Sequence, residues 1–460
     1  MKRLANNRFN FRFIKQFRPV GHYFLMLIPW FAIPTDGHLS FLRNAAQEVI
    51  AVQIKIAMIT FAVFMIRKIY CKLNSIRGNP LLIERLTDHI YSNTPTKKIK
   101  PPVEITDFAD ILDEQRLCIP KANKKLPSWV KHHCLFAGVP LEQCTSEVIA
   151  KAKASHFRGK TMLSLTGGLG VDDYAFSPSF QTIISLDPDE GLNALAAFNW
   201  QQLGITNINR LTTTAEDYLQ QASIPFDCIY ADPDRRQAGN RAVSDVNRYT
   251  PDIFSIYRQY GHLAQRWLIK LSPMTDIQWL LKALGSNAVI RIFTYKGELK
   301  EMLDETGPNI EPETIIVAVD DESTVTYRKH EPVEVQQVSN PVFCELSAAA
   351  IKADFRNTII KDAGYQPVIQ NSNYFIGNHL IPLALGRCFT LEKTIAGSLG
   401  EIKTSLEKMG INQANISGRD FVLSAEETRK KLGLRDGGEW YLFFTGKEKM
   451  KSCFATRKMG

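Results

Sequence analysis

Residues 162–172, Met-Leu-Ser-Leu-Thr-Gly-Gly-Leu-Gly-Val-Asp, run from an apolar strand pattern into a turn holding Gly167, Gly168 and Gly170. Glycine takes positive φ without steric cost and lets a backbone approach a ligand closely. The helix after such a turn opens with unpaired N–H groups and positive potential. Alone, this turn, with Thr166 at its start, suits any nucleotide-type ligand. Asp187 narrows the reading. It ends the next strand pattern, twenty residues after Gly167, where a doubly wound fold presents a carboxylate to ribose hydroxyls.

No strict G-x-G-x-x-G is present, because Gly170 is followed by Val171, Asp172 and Asp173. Acids there would crowd and repel a pyrophosphate. S-adenosylmethionine (SAM) carries no phosphate and a positive sulfonium, so the pattern favours SAM over NAD. Asp217, after the third strand pattern, is placed to accept from an adenine amino group, or else to cap a helix. Asp232-Pro-Asp-Arg-Arg236 follows the fourth strand, at the end of the sheet that faces the ligand crevice. Asp232, Arg235 and Arg236 are therefore candidate catalytic residues. The arginine pair can clamp a phosphate or carboxylate, or make a surface ion pair with Asp234. Lys270-Leu-Ser-Pro-Met274 follows the fifth strand and either lines the same crevice or simply turns the chain.

The elements that must position these residues are those of a parallel α/β sheet. Strands are expected at 162–165, 183–186, 207–211, 226–230, 267–271, 288–293 and 314–319, with helices between most of them. The last strand has no evident crossover helix, which allows it to run antiparallel. Asp189–Leu203 is expected as a helix stopped by Gly204, and Thr250-Pro-Asp252 as a helix start. Upstream, 75–160 reads as mostly helical, with Leu81, Leu82, Leu86 and Ile90 on one face of the first helix. Downstream, 335–460 mixes helices at 346–352, 355–363, 395–409 and 425–432 with short strands, an α+β pattern.

Composition agrees with a multidomain globular chain of 460 residues, 45% hydrophobic and 22% charged. The net charge of +9 is uneven: residues 1–100 hold 16 Lys/Arg against 4 Asp/Glu, and the remainder holds 40 against 43. A basic partner surface on the predicted catalytic body must therefore be local. Eight scattered cysteines form no C-x-x-C pair, and His132-His-Cys134 with Cys144 matches no zinc template. No metal is expected, and the cysteine pattern suits a cytoplasmic location. Residues 24–66 are the exception: Val49–Ile66 is apolar over 18 residues but contains Gln53 and Lys55. We expect residues 1–74 to be an extension upstream of the functional protein, with membrane contact only through 24–66. A buried helix is the alternative.

Four stretches then resemble a known family, the class I SAM-dependent methyltransferases with a C-terminal THUMP-like domain, common in Bacteroidota. They are Glu142-Gln-Cys-Thr-Ser-Glu147, Leu165-Thr-Gly-Gly-Leu-Gly-Val-Asp172, Asp232-Pro-Asp-Arg-Arg236 and Lys270-Leu-Ser-Pro-Met274. The tail, Ile416-Ser-Gly-Arg-Asp420 with Arg429–Gly438, resembles the THUMP-like module, and Phe343–Ala353 the ferredoxin-like piece before it. The resemblance spans about 75–458. It implies a Rossmann-like seven-stranded methyltransferase sheet over 159–335. A helical domain precedes it at 75–158. A ferredoxin-like module at 336–385 and a THUMP-like domain at 386–460 follow.

The resemblance also implies SAM at Thr166, Gly167, Gly168, Gly170, Asp187 and Asp217. Ser164 stands where the family usually has an acid that helps hold the methionine ammonium, a role that passes here to Asp172 or Glu147. RNA is the implied substrate, with Arg419, Lys430, Lys431 and Arg435 as phosphate contacts beside Arg429. The alternative is that these residues form a solvated helix face. The Asp-Pro-Pro-Tyr type of motif used on exocyclic amines is missing, and Cys228 is expected in the core. Two other functions stay open: a methyltransferase of a small molecule or protein, and a catalytically decayed RNA-binding protein.

Overall fold

The computed structural model describes residues 68–92, 101–233, 250–284, 287–321, 323–329, 331–369, 372–418, 421–446 and 451–459. Asp234, Arg235, Arg236 and Arg419 lie outside these residues, as does the N-terminal extension up to residue 67. Among the described residues, no helix is long and apolar enough to cross a membrane.

The helical region contributes α1 (Pro80–Ser92), α2 (Ala109–Lys125), α3 (Pro127–Lys131), α4 (Gly138–Gln143) and α5 (Glu147–Ala154). In α1 the buried stripe is Ile83, Leu86 and Ile90, spaced three and four apart as an inward face requires. Leu81, expected on that face, points to solvent instead. Two buried side-chain amides are matched to backbone groups. Gln115 exchanges two hydrogen bonds of 2.8 Å with the backbone of Phe136, and the Tyr70 hydroxyl donates to the Phe136 carbonyl at 2.7 Å. The Asn199 side chain does the same for Leu135, at 2.8 Å in both directions. That second pair fixes the helical region onto the sheet domain through a buried amide.

The sheet domain runs β1 (Gly159–Ser164), α6 (Val171–Phe176), β2 (Phe180–Leu186), α7 (Glu190–Gln202), β3 (Ile208–Leu211), α8 (Ala215–Leu219), β4 (Cys228–Ala231), α9 (Ile253–Tyr260) and β5 (Trp267–Leu271). It continues with α10 (Ile277–Leu284), β6 (Ala288–Tyr295), β7 (Glu298–Thr306), β8 (Glu313–Val319) and β9 (Thr324–Arg328). Its strand order is β3-β2-β1-β4-β5-β7-β6-β8-β9. β1 to β5 pair in parallel, and β7 is antiparallel to both β5 and β6. The order reverses between β1 and β4, which sets the ligand crevice at their C-terminal ends. Asp252, not Thr250, caps α9.

The first seven strands follow the methyltransferase order, but the seventh is not the expected segment. Residues 314–319 are β8, parallel to β6, and β9 extends the edge. The inner antiparallel strand is β7, whose residues Glu298–Thr306 carry too many charges to read as a buried strand. They are buried because cations meet them: Glu301 pairs with Lys153 at 2.7 Å, and Glu305 with Arg266 and Arg291. Lys296 and Gly297, with φ of 50° and 78°, close the two-residue hairpin between β6 and β7.

Asp304 on β7 is different. It is fully buried, and neither carboxylate oxygen has a partner. Burial therefore raises its pKa well above the ordinary carboxylate value. A carboxyl whose folded pKa is raised binds a proton that the unfolded chain releases. Stability then falls as pH rises above the unfolded value near 3.9. Asp304→Asn is accordingly expected to raise Tm at pH 7, by roughly 2–4 °C for each kcal/mol of ionisation penalty removed. The gain should vanish near pH 4, and calorimetry at the two pH values checks it.

A second sheet holds β10 (Gln336–Leu346), β11 (Gln366–Pro367), β12 (Tyr374–Leu380), β13 (Gly386–Gly397), β14 (Asn415–Ser417), β15 (Trp440–Thr445) and β16 (Lys451–Lys458). The order is β11-β12-β10-β13-β16-β15-β14. Its helices are α11 (Ala348–Lys352), α12 (Arg356–Ala363), α13 (Leu399–Lys408) and α14 (Ala425–Leu432). Phe343, Tyr374, Phe389, Phe443 and Phe454 form a small aromatic core across it. The helix expected from residue 395 starts at Leu399, because residues 395–397 continue β13 and Ser398 closes a capping box with Glu401. α14 matches its expected bounds, capped by Ser424 and stopped by Gly433 at φ 70°. Residues of β10 and α11 share a core cluster with β5, β6 and β7, so the second sheet is joined to the first through apolar packing.

Candidate functional site

The glycine turn is shaped by what lies beneath it. A Cβ on Gly167 would sit 1.7 Å from the Arg210 guanidinium and 2.6 Å from the Ser185 hydroxyl. A Cβ on Gly170, at φ +83°, would sit 2.6 Å from the Trp200 ring. Both positions therefore need glycine for packing. Gly168, at φ +52°, is the opposite case: a Cβ there would meet nothing within 4 Å. That backbone borders open space. Gly167→Ala should accordingly displace Arg210 and cost about 2 kcal/mol or more, as overpacking in a filled site does. Urea unfolding measures this, and an unchanged midpoint would contradict the packing described.

Arg210, on β3, is the residue that holds the turn together. It donates to the Gly168 carbonyl at 2.6 Å, to Asn193 at 2.6 Å and to Ser185 at 2.8 Å. It also lies 3.4 Å from Asp173 and 3.7 Å from Asp187. Asp187 follows β2. Its Oδ2 accepts from the Gly168 N–H and its Oδ1 from the Asp189 N–H, both at 2.9 Å. Burial pushes the Asp187 carboxyl up, against Arg210 and the two backbone donors. Sequence reasoning missed Arg210 because a lone arginine in a short strand gives no local signal of burial.

A second, buried cluster lies at the C-terminal ends of β1, β4 and β5. Lys270 donates to Asp232 Oδ2 at 2.7 Å and to the Thr145 hydroxyl at 2.8 Å. Lys153 reaches Asp172 at 2.9 Å and Glu301 at 2.7 Å. Asp172 also accepts from the Tyr230 hydroxyl at 2.8 Å and from Thr145 at 3.0 Å. Thr145, Asp172, Asp232 and Lys270 come one each from the four sequence stretches singled out above. They are far apart in the chain and meet in one network. Lys270 thus belongs to the site and does more than turn the chain, while Lys153, Tyr230 and Glu301 are members the sequence did not mark.

The electrostatics follow from burial plus pairing. Burial alone would raise Asp172, but Lys153 and Lys270 overcome it and hold the carboxyl at about 2. Burial alone would lower Lys270, but Asp232, Glu301 and Asp172 raise it above its ordinary value. Asp172 therefore stays ionised and Lys270 stays charged. Asp232 is the open member, with 28% of its side chain exposed against 11% or less for Asp172, Lys153, Lys270 and Glu301. Its N–H donates to the Thr166 hydroxyl at 2.6 Å, tying the ends of β4 and β1.

The remaining predicted residues are placed apart or locally engaged. Glu147 accepts from the Ser128 N–H at 2.9 Å and from Lys151 at 2.5 Å, which uses both its oxygens at the start of α5. Asp217 is exposed and shares a capping interaction with Thr214 at the start of α8. Cys228 is in the core as expected. Lys430, Lys431 and Arg435 are exposed on and after α14, while Arg429 pairs with Asp436 at 2.5 Å. A cavity of about 640 Å³ beside Tyr257, His262 and Asn287 opens at the opposite ends of the strands and holds none of the predicted residues.

Comparison with known proteins agrees with this architecture. Residues 386–458 match the THUMP domain-like family. A candidate methyltransferase from Porphyromonas gingivalis W83 is 25% identical, superposes with a TM-score of 0.69, and is covered over 99% of its length by 84% of this chain. Two smaller proteins align at lower similarity. An rRNA methylase from Streptococcus thermophilus is 12% identical with a TM-score of 0.26, and 34% of this chain covers 92% of it. A candidate methyltransferase from Streptococcus mutans, in complex with SAH, is 10% identical with a TM-score of 0.27, and 36% of this chain covers all of it. No curated protein sequence matches the chain. The chain thus has the class I methyltransferase fold, with a THUMP-like domain at its C-terminal end.

Proposed function

We propose that this protein is a SAM-dependent methyltransferase of the EC 2.1.1 type acting on RNA. The observation that carries the reading is the convergence of Thr145, Asp172, Asp232 and Lys270 beside the glycine turn, at the switch point of a methyltransferase-ordered sheet. The residues present fit the cofactor. Gly168 presents backbone to open space, as a close ligand approach needs. Asp187 has two oxygens that each carry one backbone donor. A carboxylate accepts about four hydrogen bonds, so capacity for two ribose hydroxyls remains. Gly167, Gly168 and Gly170 would line the turn, and Asp187 would hold the ribose.

When bound, SAM supplies an electrophilic methyl group on a sulfonium. The chain's own contribution is position and charge. Asp232 stands at the open edge of the network and is held there by Lys270, which donates to its Oδ2 at 2.7 Å. Its free oxygen accepts a hydrogen bond from the N–H or O–H of the attacking group and turns that group's lone pair toward the methyl. Holding the two reactants in line is then the main source of rate. Thr166 fixes Asp232 through its backbone N–H, so the acceptor cannot drift from the turn. Arg235 and Arg236 follow directly and are assigned to the substrate's phosphate, as are Arg419, Lys430, Lys431 and Arg435 on the THUMP-like domain.

The test uses purified protein, methyl-labelled SAM and total RNA from a strain lacking the enzyme. Label in RNase-sensitive material, lost in Asp187→Ala, is the expected result. SAM binding with no label in RNA would overturn the RNA assignment and point to a protein or small-molecule substrate. RNA binding with no SAM-dependent thermal shift would instead support a decayed, purely RNA-binding protein.

A further inference from the structure

Two cysteines in the second sheet face each other and take no part in the proposed reaction. Cys344 on β10 is the direct cross-strand partner of Cys388 on β13. Directly opposed residues of antiparallel strands have Cα atoms about 4.5 or 5.5 Å apart, and both spacings lie inside the range a disulfide spans. Cys344 is fully buried, while Cys388 is half-buried. The surroundings of Cys388 favour a sulfur anion. The Ile381 N–H donates to its Sγ at 3.5 Å, and the Tyr365 hydroxyl lies 3.9 Å away.

We propose that Cys388 and Cys344 form a reversible modification site for hydroperoxides, with Cys388 the thiol that is oxidised and Cys344 the one that resolves it. Cys388 is the more accessible sulfur and accepts from the Ile381 N–H, while Cys344 is fully buried and burial pushes its thiol up. The attacking and resolving roles follow from that asymmetry, since the thiolate is the nucleophile. In the first step the Cys388 thiolate attacks one peroxide oxygen. An S–O bond forms, the O–O bond breaks, and the other oxygen leaves as alkoxide or hydroxide and takes a proton. In the second step the Cys344 sulfur attacks the Cys388 sulfenic acid. An S–S bond forms, the S–O bond breaks, and hydroxide leaves with the Cys344 proton as water. The sulfur pair loses two electrons and the peroxide gains them. The bond crosses from β10, before the THUMP-like match, to β13 inside it. It would staple those two parts of the sheet.

The experiment treats reduced full-length protein with hydrogen peroxide, blocks free thiols with iodoacetamide under denaturing conditions, and maps the peptides by mass spectrometry. A Cys344–Cys388 disulfide in most molecules, returned to two thiols by dithiothreitol, is the expected result. Cys144 is the internal control: it is also half-buried, but its thiol is pushed up to about 11, first by burial, and it should stay alkylated. Cys344→Ser should stop at a Cys388 sulfenic acid that dimedone traps. Cys388 recovered as a free thiol, or linked to any cysteine other than Cys344, would overturn the proposal. The wild-type map gives that answer even where Cys344→Ser fails to fold.

Discussion

Asp187→Ala is expected to weaken SAM binding by about 100-fold or more. Hydrogen bonds to a charged group contribute roughly 1.5–3 kcal/mol each, and two ribose hydroxyls would meet this carboxylate. A 100-fold loss corresponds to about 2.7 kcal/mol, so even the low end of that range reaches it. The substitution also removes the acceptor of the Gly168 N–H, and the turn that borders the ligand loses its anchor. The fold should survive, because Arg210 keeps Asp173, Ser185, Asn193 and the Gly168 carbonyl. Calorimetric titration with SAM, alongside the Tm of the unliganded protein, separates the two effects. Asp187→Asn retains an oxygen for Gly168 and should fall between wild type and alanine. Unchanged affinity in Asp187→Ala would remove the pocket from this end of the sheet.

The turn and Asp187 were legible in the sequence because glycine and a strand-end acid have local signatures. The reason for preferring SAM over a dinucleotide was not the one the sequence suggested. Asp172 and Asp173 do not face the ligand space as bare acids: Lys153 and Lys270 neutralise one, and Arg210 with Ser185 holds the other. The discriminating feature is topological, an antiparallel β7 inserted between β5 and β6, where a dinucleotide fold has only parallel strands. That strand was illegible for a related reason. Glu301 and Glu305 look solvated until their partners Lys153, Arg266 and Arg291 are known, and Lys153 lies 148 residues from Glu301. Apolar periodicity detects cores built of hydrocarbon and misses cores built of paired charge. Asp217 had two readings, an adenine contact and a helix-start acid, and the second describes its local contacts: Thr214 caps α8 by accepting from the Asp217 N–H and donates its hydroxyl to the Asp217 carboxylate.

Paired charge also locates the largest stability effect. Lys153 is fully buried between Asp172 and Glu301. Removing one member of a buried ion pair leaves an uncompensated charge and typically costs about 3–5 kcal/mol, so Lys153→Met is expected to destabilise the protein by that amount. Its pH signature is specific. The Asp172 carboxyl is held at about 2 in the folded state against about 3.9 unfolded. Its contribution is therefore complete above the unfolded value and lost as pH falls through the folded one. Without Lys153, burial outweighs Lys270 at Asp172, the folded pKa rises, and the acid unfolding midpoint moves to higher pH. Glu301→Gln in the same chain removes one of the two stranded acids and should recover part of the loss. Urea unfolding of the two single variants and the double variant, at pH 5 and pH 7, reads this as a coupling energy. Strictly additive losses would mean that Lys153 and Glu301 do not act as a pair. A non-additive recovery would establish that the helical region, which supplies Lys153 and Thr145, stabilises the sheet domain from within the same network that holds Asp232.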